Sequence, residues 1–215
     1  MPLRAHVPRR QTDDTTGGFP LSRYVLCAGT LLCLAAASPA AASTNIEAKH
    51  LNVRVGHRAS VAGRTTPAST VALEIHRRGH WTTLDRARAG AHGAYLLHDR
   101  LHRAQSVPAR VRAADGSTRS LGRLNVFRAA AASWYGPGLY GNHLACGGTL
   151  TPGRLGVANK SLPCGSRVTL RRRGRLLRVP VIDRGPYSGN REFDLTERTA
   201  RRLRFRGHGT ILVAR

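Results

Sequence analysis

The stretch from Ser133 to Leu195 constrains the fold more than any other part of this chain. It opens with "SWYGPGLYGNHLACGG", continues through "LGVANKSLPCGSRVTL" and closes with "VPVIDRGPYSGNREFDL". Gly136, Pro137, Gly138, Gly141, Gly147 and Gly148 crowd its first segment, and Gly185-Pro186 follow Asp183 almost at once. Glycine and proline at this density fix turns and leave little room for long helices. Short β-rich runs lie between the turns, and one acid, Asp183, ends the apolar run "LRVPVI" where the chain turns. The pattern predicts a small β-barrel whose chemistry sits at a strand end.

Other elements agree with a barrel. "SRVTLRRRGRLLRVPVID" reads as a hairpin turning at Arg173-Gly174, and "GTILVA" as a closing strand. "DLTERTARRLRF" reads as one short helix, with Leu195, Thr199 and Leu203 on one face. Asp194 is placed as its N-cap, with Glu197 three residues on at capping-box spacing. Glu192 lies in a polar loop, where a solvated carboxylate is expected. By elimination, Asp183 is the candidate catalytic acid; the competing role is a structural Asp that bonds the Gly185-Pro186 turn.

The motifs "ASWYGPGLYG", "LGVANKSLPCGSRV", "VIDRGPY" and "REFDLT", in this order, resemble the double-psi β-barrel domain of the rare lipoprotein A (RlpA) family of lytic transglycosylases. The resemblance covers about residues 131–215 and extends to the expansin and barwin-like fold. It implies a six-stranded barrel, a peptidoglycan glycan strand as ligand, no cofactor, and cleavage that leaves 1,6-anhydro ends. It places Asp183 at the catalytic position and Asp194 at a further acid of the family motif. It departs from the family at two positions: Gly148 stands where a Glu is usual, and Asn159 where a His is usual. Gly148 cannot replace a carboxylate, whereas Asn159 can hydrogen-bond a sugar or orient Asp183. The alternative reading is therefore a non-catalytic, expansin-like module that binds or loosens the wall. Tyr140, Asn159, Arg184, Tyr187 and Asp194 are the candidate substrate-binding residues. Trp134 and Tyr135 alternate along a strand, with Trp134 the buried member.

Residues 1–42 read as an export signal: an arginine-bearing segment, the apolar run "YVLCAGTLLCLAAAS", and small residues before a cut at Ala42. The run is shorter than the ~20 residues of a membrane span. The mature protein is thus expected to be secreted, wall-associated and without a transmembrane span. It keeps two cysteines, Cys146 and Cys164, expected to form a disulfide in an oxidising compartment; two free thiols are the alternative, and no second pair stands at zinc-ligand spacing.

Residues 45–128 carry about seven short β-like runs separated by turn signals, a pattern that predicts a β-sandwich of immunoglobulin or fibronectin III type. The fold class is therefore all-β, sandwich then barrel. Val71, Leu73 and Ile75 face one way, with Ala72, Glu74 and His76 facing the other. Trp81 and Tyr95 are the expected core aromatics. His76 with His80, and His98 with His102, are too far apart along a strand to chelate unless a turn intervenes, so no metal site is expected. "RAAAA" joins the two units with little linker.

The formal net charge is +24, carried by arginine; Lys49 and Lys160 are the only lysines. Such a charge points to polyanionic surroundings, among them anionic wall polymers. No dense basic block with interleaved aromatics marks a specific nucleic-acid site.

Overall fold

The computed structural model describes residues 43–215, which form one compact unit built almost wholly of strands. The expected export segment over residues 1–42 lies outside the described residues. Among the described residues no helix is long and apolar enough to cross a membrane.

The first part holds β1 (Asn45–His50), β2 (Asn52–Arg54), β3 (Arg58–Arg64), β4 (Thr70–Arg77), β5 (His80–Arg88), β6 (Ala94–Arg100), β7 (Gln105–Ala113) and β8 (Thr118–Tyr135). Strands β1, β3 and β6 form one antiparallel sheet. Strands β5, β4, β7 and β8 form a second, extended by β2 running parallel to β8. Val61, Tyr95 and Leu97 of the first sheet and Leu73, Ile75, Val111 and Leu124 of the second share one hydrophobic core. The seven runs expected here are all strands; β1 was not anticipated.

One expectation changes. Trp81 is not a core residue: it is 38% exposed, and the Arg110 guanidinium lies 4.0 Å from its ring centroid. The outer face of β4 carries a buried charge. Glu74 is buried there, held by Arg112 at 2.7 Å and Arg110 at 2.8 Å. Burial alone would raise its pKa, but hydrogen bonds from Arg112 and Arg110 bring it below the usual carboxylate value. Tyr95 is buried as expected and donates its hydroxyl to the Asn45 carbonyl. The Arg78-Gly79 turn sets His76 opposite Trp81 and His80 opposite Arg77, so the two histidines lie on opposite faces of the hairpin, and no group of three metal-ligating side chains forms among the described residues.

Strand β8 is 18 residues long and carries the chain from one core to the other. Its first part pairs with β7 and β2, and from Arg128 onward it pairs with the final strand. The "RAAAA" segment is thus the middle of a strand. Side chains fasten the junction: Ser106 Oγ lies 2.9 Å from Thr169 Oγ1, and Arg171 donates to the Asn52 carbonyl at 2.9 Å.

The second part adds β9 (Val157–Ala158), β10 (Arg167–Arg172), β11 (Arg175–Asp183), β12 (Phe193–Thr196), α1 (Glu197–Arg202) and β13 (Gly209–Ala214). The order β8–β12–β9–β11–β10–β13 returns to β8, closing a six-stranded barrel. Pairs β8–β12 and β9–β11 are parallel; the rest are antiparallel. Closure leaves no free sheet edge. Val168, Leu170, Val179, Val181, Phe193, Leu195, Ile211 and Val213 fill the interior. The β10–β11 hairpin turns at Arg173-Gly174, both with positive φ, as a two-residue loop between right-twisted strands requires.

The helix starts later than its sequence suggests. Asp194 is not the N-cap, because β12 keeps its ladder with β8 through Thr196. Thr196 caps α1 instead, accepting from the Thr199 N–H. Glu197 accepts from the Tyr140 hydroxyl and pairs with Arg201 rather than closing a capping box.

Candidate active site

Asp183 is the last residue of β11. Val179 and Val181 point into the barrel, and the β9–β11 ladder is irregular between Val181 and Asp183. Such an irregularity re-aims a side chain, here out of the apolar interior. The carboxylate is then fixed by backbone: Asp183 Oδ1 accepts from the Ala145 N–H and the Arg184 N–H, both at 2.9 Å. The Cys146 N–H bonds the Ile182 carbonyl, so the Ala145–Cys146 segment is laid along the end of β11. The Cys146–Cys164 disulfide, as expected, pins that segment from the other side.

Asp194 shares this site. It pairs with Ala158 of β9 on one side, while Asp183 pairs with Ala158 on the other. At the usual spacing of neighbouring strands, the two aspartates are about 10 Å apart at their Cα atoms. Both line one groove of about 210 Å³. Ser133 Oγ donates to Asp194 Oδ1 at 2.7 Å, and Arg191 Nη1 donates to the same Ser133 oxygen at 2.8 Å. The Asp194 pKa is raised, chiefly by burial; Ser133 and Arg191 oppose the shift and the Asp183 charge reinforces it.

Tyr135 completes the floor. Its hydroxyl is buried beside both aspartates; it makes no hydrogen bond of normal geometry, and Asp183 is the carboxylate near enough to draw its proton. Burial first, then the charges of Asp183 and Asp194 and the pull of Asp183 on the hydroxyl, pushes the phenol far above its ordinary pKa, so it remains a donor. Sequence alternation marked Trp134 as the inward residue, and nothing local singles out the Tyr135 hydroxyl.

The remaining candidates separate into groove and frame. Tyr187 is 80% exposed at the groove rim, where a sugar face can reach it. Arg184 lines the groove, but its guanidinium donates to the carbonyls of Asn159 and Leu162 and to Cys164 Sγ. Asn159 is buried; its Oδ1 accepts from the Ser161 and Leu162 N–H groups and its Nδ2 donates to the Glu192 carbonyl. It therefore shapes its own loop rather than orienting the Asp183 carboxylate. Tyr140 packs against Leu144, Leu150 and Ile182 and is tied to Glu197, outside the groove. A Cβ on Gly136 would lie 2.8 Å from Glu197 Cβ and 2.9 Å from the Tyr140 hydroxyl, so the close approach needs glycine. Gly148 has a φ of +78° and bears no side chain; a Cβ there would meet Arg154 Nη2 at 3.6 Å.

A closed six-stranded ring with acids gathered at one end is the architecture of a double-psi β-barrel, and residues 128–214 match the family described as lytic transglycolase. Residues 128–214 are an RlpA-like double-psi β-barrel domain. The chain is similar to the "Probable endolytic peptidoglycan transglycosylase RlpA" of Synechocystis sp., with 39% identity over 103 residues, covering 43% of this chain and 32% of the relative. It is also similar to the "Endolytic peptidoglycan transglycosylase RlpA" of Campylobacter jejuni, with 38% identity over 84 residues, covering 38% of this chain and 30% of the relative. That of Neisseria meningitidis serogroup A gives 38% identity over 84 residues, covering 38% of this chain and 35% of the relative. The chain thus spans about a third of the length of the curated relatives it matches.

Proposed function

We propose that this is a wall-associated protein whose barrel groove binds peptidoglycan glycan strands and cleaves them by lytic transglycosylation. The observation that carries this reading is the convergence of Asp183 and Asp194 on one groove across Ala158. Asp183 protonates the glycosidic oxygen and then accepts the proton of the sugar's own 6-hydroxyl as it closes onto C1. The attacking group is part of the substrate, so its effective concentration is high and no water has to be activated. Burial raises the Asp194 pKa, so this carboxyl holds its proton more firmly than an exposed aspartate does. Tyr135 donates to the substrate oxygen held between the two acids, and Tyr187 stacks on a sugar face. The two-sheet part before the barrel is an immunoglobulin-like sandwich that holds the barrel at the wall, and export removes the residues up to Ala42.

The test is mass spectrometry of peptidoglycan incubated with wild type, Asp183→Asn and Asp194→Asn side by side. Wild type releases fragments with 1,6-anhydro ends, and Asp183→Asn releases none. Reducing-end products would instead mean hydrolysis, which uses two carboxyl groups about 5 to 10 Å apart.

A second reading, a groove that binds glycan without cutting it, is favoured by Gly148. Its place offers no carboxylate, and the Arg154 guanidinium lies beside it. Wild type that retains peptidoglycan yet releases no fragment would establish that reading.

A further inference from the structure

At the other end of β11 from Asp183 lies a cavity of about 570 Å³ lined by Arg172, Arg173, Arg201, Arg204, Arg206 and Phe205. The nine residues of β11 put it about 26 Å along the strand from the catalytic end. Three elements supply the arginines: the β10–β11 turn, the last turn of α1 and the segment after it. Backbone carbonyls at and just after the end of that helix hold two arginines of the neighbouring hairpin. Arg172 donates to the Arg204 carbonyl and Arg175 to the Arg202 carbonyl, while Arg172 also stacks at 4.9 Å over Phe205. Arg201 pairs loosely with Glu197 at 3.8 Å; Arg172, Arg173, Arg204 and Arg206 have no ion pair among the described residues. No carboxylate lines the cavity. Five guanidiniums gathered with only the loose Glu197 contact at Arg201 as counter-charge repel one another, and a multivalent anion removes that repulsion. Guanidinium forks match phosphate oxygens in pairs.

We propose that this cavity binds a phosphodiester-linked polyol or sugar polymer of the cell wall, separately from the glycan groove. The choice of polymer rests on the wall location argued above. The lining itself narrows the ligand. Phe205 is buried beneath Arg172, so no aromatic face is offered to a nucleobase, as single-stranded nucleic acid requires. No exposed large apolar residue lines the cavity to enter a lipid layer. What remains is a row of phosphates on a backbone without bases or acyl chains.

The test is equilibrium binding of soluble poly(glycerol phosphate) to the whole chain. The variant Arg173→Gln/Arg201→Gln/Arg206→Gln alters three exposed side chains of the cavity. It should weaken binding about tenfold or more and flatten the dependence of affinity on salt. Arg58→Gln/Arg86→Gln/Arg103→Gln, which removes the same charge from the first part of the chain, should change binding less than about twofold, the scale of screened surface charge. Equal weakening in the two variants would mean diffuse attraction to a basic protein and overturn the site. Absence of binding at low salt would overturn it as well. Tighter binding of a single-stranded oligonucleotide or of phosphatidylglycerol vesicles through the same three arginines would overturn the ligand class. Glycan release is measured separately in the cavity variant and stays at the wild-type level, so failure of either activity is seen independently of the other.

Discussion

Asp183 and Asp194 lie on the two strands that flank Ala158, one in parallel and one in antiparallel register with it. Chain distance hides this relationship, since the loop of residues 184–192 separates them and the ladder of β9 brings them back together. The ladder thus places two carboxyls on one groove at a strand end.

The burial of Asp194 predicts a pH effect. Its pKa is raised, so Asp194 keeps its proton to higher pH than an ordinary aspartate does. Glycan cleavage should fall on the alkaline side as that proton leaves. Asp194→Asn removes the carboxyl whose pKa burial raises, so the alkaline limb of the pH–rate profile should change. An unchanged limb would remove Asp194 from the reaction's proton balance.

Tyr187 gives a test free of folding effects, since its side chain is 80% exposed and holds nothing in place. Tyr187→Ala should leave the melting temperature unchanged and weaken peptidoglycan retention about five- to tenfold, the loss of about 1 kcal/mol of ring stacking. A pull-down titration reads both the direction and the size.

The Cys146–Cys164 bridge closes a loop with a sequence separation of 18 and braces the segment that donates to Asp183. Cys146→Ser should cost about 3 kcal/mol by chain entropy. For a unit of this size that lowers the melting temperature by roughly 6 to 12 °C in a calorimetric scan. Reduction of the wild type should reproduce the shift, and two alkylatable thiols in natively secreted protein would show that the bridge does not form in use.

Glu74 predicts acid sensitivity in the first part of the chain. Its folded pKa lies below the unfolded value, so its contribution is complete above the unfolded pKa and disappears as pH falls through the folded one. Glu74→Gln should destabilise at neutral pH by about 2 kcal/mol, since Arg110 and Arg112 lose their shared partner while keeping partial access to water. At strongly acid pH the mutant and wild type should converge. Urea midpoints measured across this range would reveal any failure to converge.

Much of the barrel was legible because its signals are local. Arg173-Gly174 is a turn wherever it stands between two β-runs, and the motifs around Asp183 carry their own punctuation. The misreadings have one physical origin. Asp194 and Glu197 have capping-box spacing, but the competing ladder to β8 comes from residues about 60 positions away. The Asn159 amide has the chemistry to bond a sugar; in the fold it bonds backbone groups of Ser161, Leu162 and Glu192, which no residue type announces. Trp81 looked like core because tryptophan usually is, and the arginine that covers it arrives from a different strand.

Strand β8 gives the two cores a common backbone with no loop between them. A flexible tether would let a groove search a volume around its anchor point. A shared strand fixes its heading instead, so the orientation of the groove is set by the first core. Load applied to that core travels along β8 to Tyr135, which lines the groove with Asp194, through one covalent chain.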